Sequence, residues 1–159
     1  MSNQRYPLKI NVGFLHNLPV GSNRDIHFYH PELHLPPDLD VTDFKGKIHI
    51  SRTPQGLLFE GNFTASTQSE CVRCLETFNQ LLEIDFYEVY SYTSHSFTDS
   101  NLYVPEDGNI DLSPIIREYM LLETPIKPLC KPDCLGLCII CGENLNARDC
   151  EHEARIKIE

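Results

Sequence analysis

The sequence predicts an α+β fold: an antiparallel, β-rich domain with one covering helix and a small C-terminal cysteine-rich tail. Three observations predict it. Apolar and polar residues alternate with period 2 through residues 41–69 and again through 78–92, the pattern of half-buried strands. One later segment, Leu112, Ile115, Ile116, Tyr119, Met120 and Leu122, has helical spacing. After Pro125 and Pro128 the apolar periodicity stops and cysteines take over. The domain boundaries that follow are residues 1–125 for the β-rich domain and 126–159 for the tail.

Taken in order, residues 8–18 alternate through Leu8, Ile10, Val12 and Phe14 and read as a strand. Residues 19–40 are rich in Pro, His and Asp, with His30-Pro31 and Pro36-Pro37, and read as a loop-rich connection holding one short strand around Ile26-His27-Phe28. Val41, Phe44, Ile48 and Ile50 form an extended run. Thr53-Pro54-Gln55-Gly56 turns the chain, with Pro and Gly at turn-favoured places. Leu57, Phe59, Gly61, Phe63 and Ala65 then share one face, so 41–69 reads as an antiparallel hairpin. The run from Phe78 to Tyr92 is a third long strand. Residues 93–109 are polar and acidic and read as a mobile loop. Asp111 or Ser113 can cap the helix, Pro114 suits its first turn, and Pro125 and Pro128 stop it.

Composition narrows the function. Hydrophobic residues make up 41% of the 159, enough for a real core, and no apolar run reaches membrane-spanning length. The segment Met1 to Pro7 has no apolar secretory region, so a cytoplasmic location is expected. The formal net charge is -10: residues 1–124 carry 8 Lys+Arg against 17 Asp+Glu, and residues 125–159 carry 5 against 6. An acidic body repels phosphate backbones and suits a basic protein partner, which leaves the near-neutral tail for any contact with RNA.

Seven cysteines in a reducing compartment point to metal or redox chemistry rather than a disulfide framework, and an odd number leaves one thiol over in any all-disulfide scheme. The tail reads Cys130-x3-Cys134-x3-Cys138-x2-Cys141-x8-Cys150-x-His152. Zinc takes four N or S ligands in a structural site, and two cysteines separated by two residues reach one ion from a single tight turn. Cys138-Ile139-Ile140-Cys141-Gly142 is such a turn, with Gly142 free to adopt positive φ after the second ligand. Upstream, Cys71-x2-Cys74 brings the set to eight ligands, enough for two tetrahedral sites. The favoured pairing is Cys138, Cys141, Cys150 and His152 for one site. Cys71, Cys74, Cys130 and Cys134 make the other, which would tie the tail back to the β-rich domain. A single site of Cys134, Cys138, Cys141 and Cys150 competes with it. A structural zinc of this kind is not an enzyme active site.

A thiol oxidoreductase using Cys71 and Cys74 is the rival chemistry. Such thiols ordinarily sit at a helix N-terminus, where the dipole lowers their pKa, and here they lie between strand-like runs with Arg73 as the nearby cation. His27, His30 and His34 have no supporting Cys or carboxylate spacing and read as loop histidines. Tyr87, Tyr90 and Tyr92 could stack on RNA bases, but with so few neighbouring cations, core and cross-strand packing is the reading preferred. No phosphate-cradling Gly loop and no nucleophile–base–oxyanion set is visible, so no enzyme is expected.

Three stretches together resemble a known family. These are Glu70-Cys71-Val72-Arg73-Cys74-Leu75-Glu76 with Phe78, the run from Glu118 to Cys130, and the run from Cys134 to Asn146. In this order they resemble the YceD family, the large ribosomal RNA subunit accumulation proteins, over most of the chain. The resemblance implies a bacterial or plastid setting and a non-catalytic role in the synthesis, processing or stability of 23S rRNA and in assembly of the large ribosomal subunit. It implies as partner a large-subunit precursor, reached through a basic ribosomal protein or through rRNA, with no membrane and no small-molecule substrate. Were the tail itself an RNA-binding module, Lys127, Lys131, Arg148, Arg155 and Lys157 would be its contact residues. Many family members end with Cys-x-Cys where this chain has Cys150-Glu151-His152, and histidine is an acceptable zinc ligand.

Overall fold

The computed structural model describes residues 7–93 and 102–152. The chain runs β1 (Lys9–Asn11), α1 (Gly13–His16), β2 (Asn23–Leu35), β3 (Leu39–Arg52), β4 (Gly56–Glu70), β5 (Thr77–Ser91), β6 (Asn109–Asp111) and α2 (Ser113–Glu123). Strands β2-β3-β4-β5 lie in sequence order in one four-stranded sheet, and β1 pairs with β6 in a two-stranded one. Among the described residues the architecture is therefore mostly antiparallel sheet with one helix longer than a single turn.

Strands β3, β4 and β5 form because their alternation gives the sheet one dry face. Phe44, Ile48 and Ile50 from β3 meet Leu57, Phe59, Phe63 and Ala65 from β4 and Leu82, Ile84 and Phe86 from β5 in one core. The period of β3 slips between Val41 and Phe44. A register shift between Thr42 and Lys45, with Asp43 at φ 50°, inserts one residue and returns both side chains to the same face. The β3–β4 turn closes as the sequence predicts: Thr53 N–H donates to the Gly56 carbonyl at 2.9 Å, and Gly56 N–H donates to Thr53 Oγ1 at 3.1 Å. Gly61 is required by packing rather than by its dihedrals. A Cβ there would lie 2.4 Å from the Phe86 ring.

Helix α2 covers the dry face. Ile115, Ile116 and Met120 are buried, and the Tyr119 ring stacks on Phe86 at 5.1 Å. The Asp111 carboxylate accepts the Ser113 N–H at 2.9 Å, ahead of Pro114 in the first turn. Arg117 Nε donates to Asp38 at 2.9 Å, in the connection between β2 and β3.

Two local expectations are corrected. Residues 8–18 are not one strand: β1 spans three residues and a helical turn, α1, follows, with Leu15 buried beneath it. Residues 19–40 are not loop-rich: β2 spans thirteen residues paired in register with β3, from Asn23↔Ser51 to Leu35↔Leu39. β2 is an edge strand with only Leu33 and Leu35 fully buried, so it lacks the apolar alternation that betrays a strand. Its Pro31 is tolerated because an edge strand has one side free of ladder bonds. Tyr90 is buried, but Tyr87 is 70% exposed and does not pack in the core. The 93–109 segment lies partly outside the described residues; its end contributes β6. No helix among the described residues is long and apolar enough to cross a membrane.

The chain divides into two compact units. One comprises Met1–Ser66 and Leu81–Glu123, and the other Thr67–Gln80 and Thr124–Glu159. The second unit thus takes in the segment linking β4 and β5 as well as the residues beyond α2, whereas a boundary at 125/126 leaves that segment with the β-rich domain.

Candidate metal centre

The second unit has hardly any apolar core of its own. Its one hydrophobic cluster among the described residues is Cys71, Cys74 and Cys134, with Phe78, Leu129, Cys130 and Leu137 packed around them, and Cys138 is buried apart from it. Sulfur stands where a small domain would otherwise need hydrocarbon, the usual sign that a metal or cross-links hold it together.

The segment between β4 and β5 presents the first two sulfurs. Cys71 N–H donates to the Glu76 carbonyl and Leu75 N–H to the Cys71 carbonyl, both at 2.9 Å, with Leu75 at φ 59°. This tight turn aims Cys71 and Cys74 to one side. The chain after α2 is laced to it by Val72 N–H to the Pro128 carbonyl at 3.0 Å, Leu137 N–H to the Arg73 carbonyl at 3.2 Å, and Arg73 Nη1 to the Cys134 carbonyl at 2.9 Å. Arg73, the one cation near the pair in sequence, is thereby engaged with the backbone.

The result brings Cys71, Cys74, Cys130 and Cys134 together, with all four sulfurs within 4.8 Å of one another. Cys71 and Cys134 are 3.7 Å apart and Cys74 and Cys130 are 3.6 Å apart. These are not disulfide distances, and all seven cysteines are free. A tetrahedral ion with metal–sulfur bonds of about 2.3 Å needs sulfur–sulfur edges of about 3.8 Å. The quartet fits that requirement.

A second quartet is Cys138, Cys141, Cys150 and His152, again with ligand atoms within 4.8 Å. Cys138 N–H donates to the Glu143 carbonyl and Gly142 N–H to the Cys138 carbonyl, both at 2.8 Å, and Gly142 takes φ 76° as its place after the second cysteine requires. Cys138 is buried, whereas Cys141 and His152 are exposed. Both groups could hold a metal ion. The set Cys134, Cys138, Cys141 and Cys150 is not the grouping formed, because Cys134 turns its sulfur toward Cys71.

The electrostatics prepare two of the thiols for a cation. Burial pushes the Cys71 thiol up, but backbone N–H groups of Cys130, Cys74 and Arg73 outweigh it and bring it down to about 6. The N–H groups of Cys141 and Ile140 likewise bring Cys138 down to about 6. Their neighbours go the other way. Burial, then the sulfurs of Cys74 and Cys134, push Cys130 up to about 12. Several thiols this close cannot all ionise without a positive charge among them.

One contributor has no signature in the ligand spacing. Asn146 Nδ2 donates to the Cys134 sulfur at 3.3 Å while its Oδ1 accepts the Leu135 N–H at 2.9 Å, and Asn144 Nδ2 donates to Glu76 at 2.9 Å. Such outer contacts orient metal ligands. Asn146→Ala is expected to weaken metal affinity at the Cys71 quartet about 10–100-fold, read by competition against a chromophoric chelator. Of the five proposed RNA-contact residues, Lys127, Lys131 and Arg148 are exposed on this unit; Arg155 and Lys157 lie outside the described residues.

Comparison with known proteins now bears on the whole arrangement. A family model described as large ribosomal RNA subunit accumulation protein YceD matches residues 59–158. The chain belongs to the YceD family. Both quartets fall inside the matched range, as do β5 and α2. An uncharacterised protein of Mycobacterium leprae is 31% identical over 102 residues, covering 62% of this chain and 47% of its own length. One from Mycobacterium tuberculosis is 34% identical over 100 residues, covering 60% and 48%. A Zea mays protein named large ribosomal RNA subunit accumulation protein YCED homolog 1, chloroplastic, is 45% identical over 49 residues, covering 30% of this chain and 17% of the maize protein. The chain spans about half the length of the mycobacterial relatives it matches. No solved structure matches it significantly.

Proposed function

We propose that this protein is a non-catalytic, zinc-containing factor that supports accumulation of 23S rRNA and assembly of the large ribosomal subunit in the cytoplasm. Family membership supports the role in large-subunit rRNA. The observation that carries the non-catalytic reading is the use of the ligands. All eight soft ligands go into two four-ligand quartets, which leaves no open position for a water or substrate on either ion. Zinc is the ion suited to a set of four thiolates and to a set of three thiolates with one imidazole, where it acts by holding the second unit folded. The same use of Cys71 and Cys74 speaks against a thiol oxidoreductase, since a ligated thiolate is not a free nucleophile.

The acidic charge favours action through a basic protein of the precursor over contact with naked RNA. Direct RNA binding by Lys127, Lys131 and Arg148 is the second reading, favoured by their exposure on the less acidic unit. It predicts affinity for an rRNA fragment that falls steeply with added salt. The proposed role is tested by deleting the gene in its host and measuring the ratio of 23S to 16S rRNA. A fall in 23S restored by the intact gene is expected. An unchanged ratio overturns the role.

A further inference from the structure

The first unit contains a groove that the cysteine chemistry does not use. One wall is β5, through Glu88 and Tyr90. A second is the segment beginning at Leu102, which pairs onto the end of β5: Ser91 N–H donates to the Leu102 carbonyl at 3.0 Å, and Val104 N–H donates to the Ser91 carbonyl at 2.8 Å. Asp111 and α2 close the third side with Glu118 and Tyr119. The cavity has a volume of about 500 Å³, within the range of about 300–1,000 Å³ typical of ligand pockets.

Its charge is one-sided. Three carboxylates, Glu88, Asp111 and Glu118, line it, and no Lys, Arg or His does so among the described residues. The unit around it carries 7 Lys+Arg against 15 Asp+Glu. The Tyr119 hydroxyl donates to Glu88 Oε1 at 2.8 Å, which fixes that carboxylate in place. Tyr90 senses the potential directly: burial, then the charges of Glu88 and Asp111, push its hydroxyl up to about 12. The rim is apolar and open, with Leu122 74% and Tyr103 58% exposed.

The chemistry of these walls selects the occupant. A neutral apolar ligand would bury carboxylates without compensation, and a phosphate would be repelled. A lysine or arginine side chain satisfies both parts of the groove. Its methylene stem covers apolar wall while its cationic head meets carboxylate and tyrosine face. The exposed Leu122 and Tyr103 call for apolar residues flanking that cation, which a polypeptide carries and a free polyamine does not.

We propose that the groove between β5, the Leu102 segment and α2 docks a basic polypeptide segment, with one lysine or arginine inserted among Glu88, Asp111 and Glu118. This rests on the proposed function for its setting, and it assigns the partner contact to the first unit rather than to the cysteines.

The probe is a nine-residue peptide of alternating arginine and leucine, titrated into the full-length, zinc-loaded protein and followed by fluorescence anisotropy. The test variant is Glu88→Gln/Asp111→Asn/Glu118→Gln. It removes the charges while leaving acceptors for the Tyr119 hydroxyl and the Ser113 N–H. The control is Glu60→Gln/Glu83→Gln/Asp85→Asn, which removes the same charge from β4 and β5 outside the groove. The groove variant is expected to bind at least about tenfold more weakly, equivalent to about 1.4 kcal/mol, and the control within about twofold of the parent. Tyr103→Ala, at an exposed position, is expected to weaken binding without affecting folding.

Equal weakening by the two triple variants would reduce the effect to net charge and overturn the proposal. Displacement of the peptide by spermine at an equal concentration would overturn the polypeptide occupant, as would absence of peptide binding. In cells, normal 23S rRNA with the groove variant alongside a defective deletion strain would sink the groove and leave the function standing. Groove-specific peptide binding with normal 23S rRNA in the deletion strain would do the reverse.

Discussion

Protein purified under reducing conditions is expected to carry two zinc ions per chain, and a Cys71→Ser/Cys74→Ser variant to carry one. The two quartets share no residue, so loss of one leaves the ligands of the other intact. Elemental analysis against protein concentration reads the number directly. One zinc in both proteins would leave only the Cys138 quartet occupied and return Cys71 and Cys74 to a structural or redox role. No zinc in either would remove the metal reading altogether. The pH dependence has a definite sign. Zinc binds thiolate, so it must displace protons from Cys130 and Cys74, both raised above the ordinary thiol value. The Glu76 backbone N–H pulls Cys74 down, but burial and the sulfurs of Cys71 and Cys134 together outweigh it. Affinity therefore weakens as pH falls. Below about 6 the fall steepens, because Cys71 and Cys138 then also take up protons in the metal-free protein.

Phe63→Ala is expected to destabilise the protein by about 3–5 kcal/mol and to lower the melting temperature on the order of 10 °C. Phe63 is fully buried at the centre of an aromatic row. Its ring lies 5.2 Å from Phe44, 5.8 Å from Phe28 and 6.1 Å from Phe86, which in turn stacks on Tyr119 of α2. Truncation leaves a cavity bounded by rings from β2, β3 and β5 that cannot all collapse toward it. Tyr87→Ala, on the same sheet but 70% exposed, is expected to stay within about 0.5 kcal/mol of the parent. Equal costs for the two, by urea denaturation, would contradict the described core.

The sites differ in how far the sequence exposes them. All eight candidate ligands are legible from spacing, because a knuckle such as Cys138-x2-Cys141-Gly142 is a local structure with local rules. Asn146 is not, since its amide reaches Cys134 only after the chain has turned through the knuckle. The groove is illegible for the same reason. Its carboxylates are at 88, 111 and 118, and nothing but the packing of α2 beside β5 brings them to one cavity.

The sequence by itself determined β3, β4, β5 and α2, whose apolar periods report the face each must bury, and it determined that Cys130 to His152 is a dense cluster of soft ligands. Tertiary structure alone decided the rest. β2 is held mainly by its ladder to β3 and buries too little to show a period. The sequence favours grouping Cys71 and Cys74 with Cys130 and Cys134 but leaves a single tail site open; backbone bonds such as Val72 to Pro128 bring the favoured four together. Periodicity records what a segment buries and spacing records what it can reach within a few residues, so neither records which distant segment it will meet.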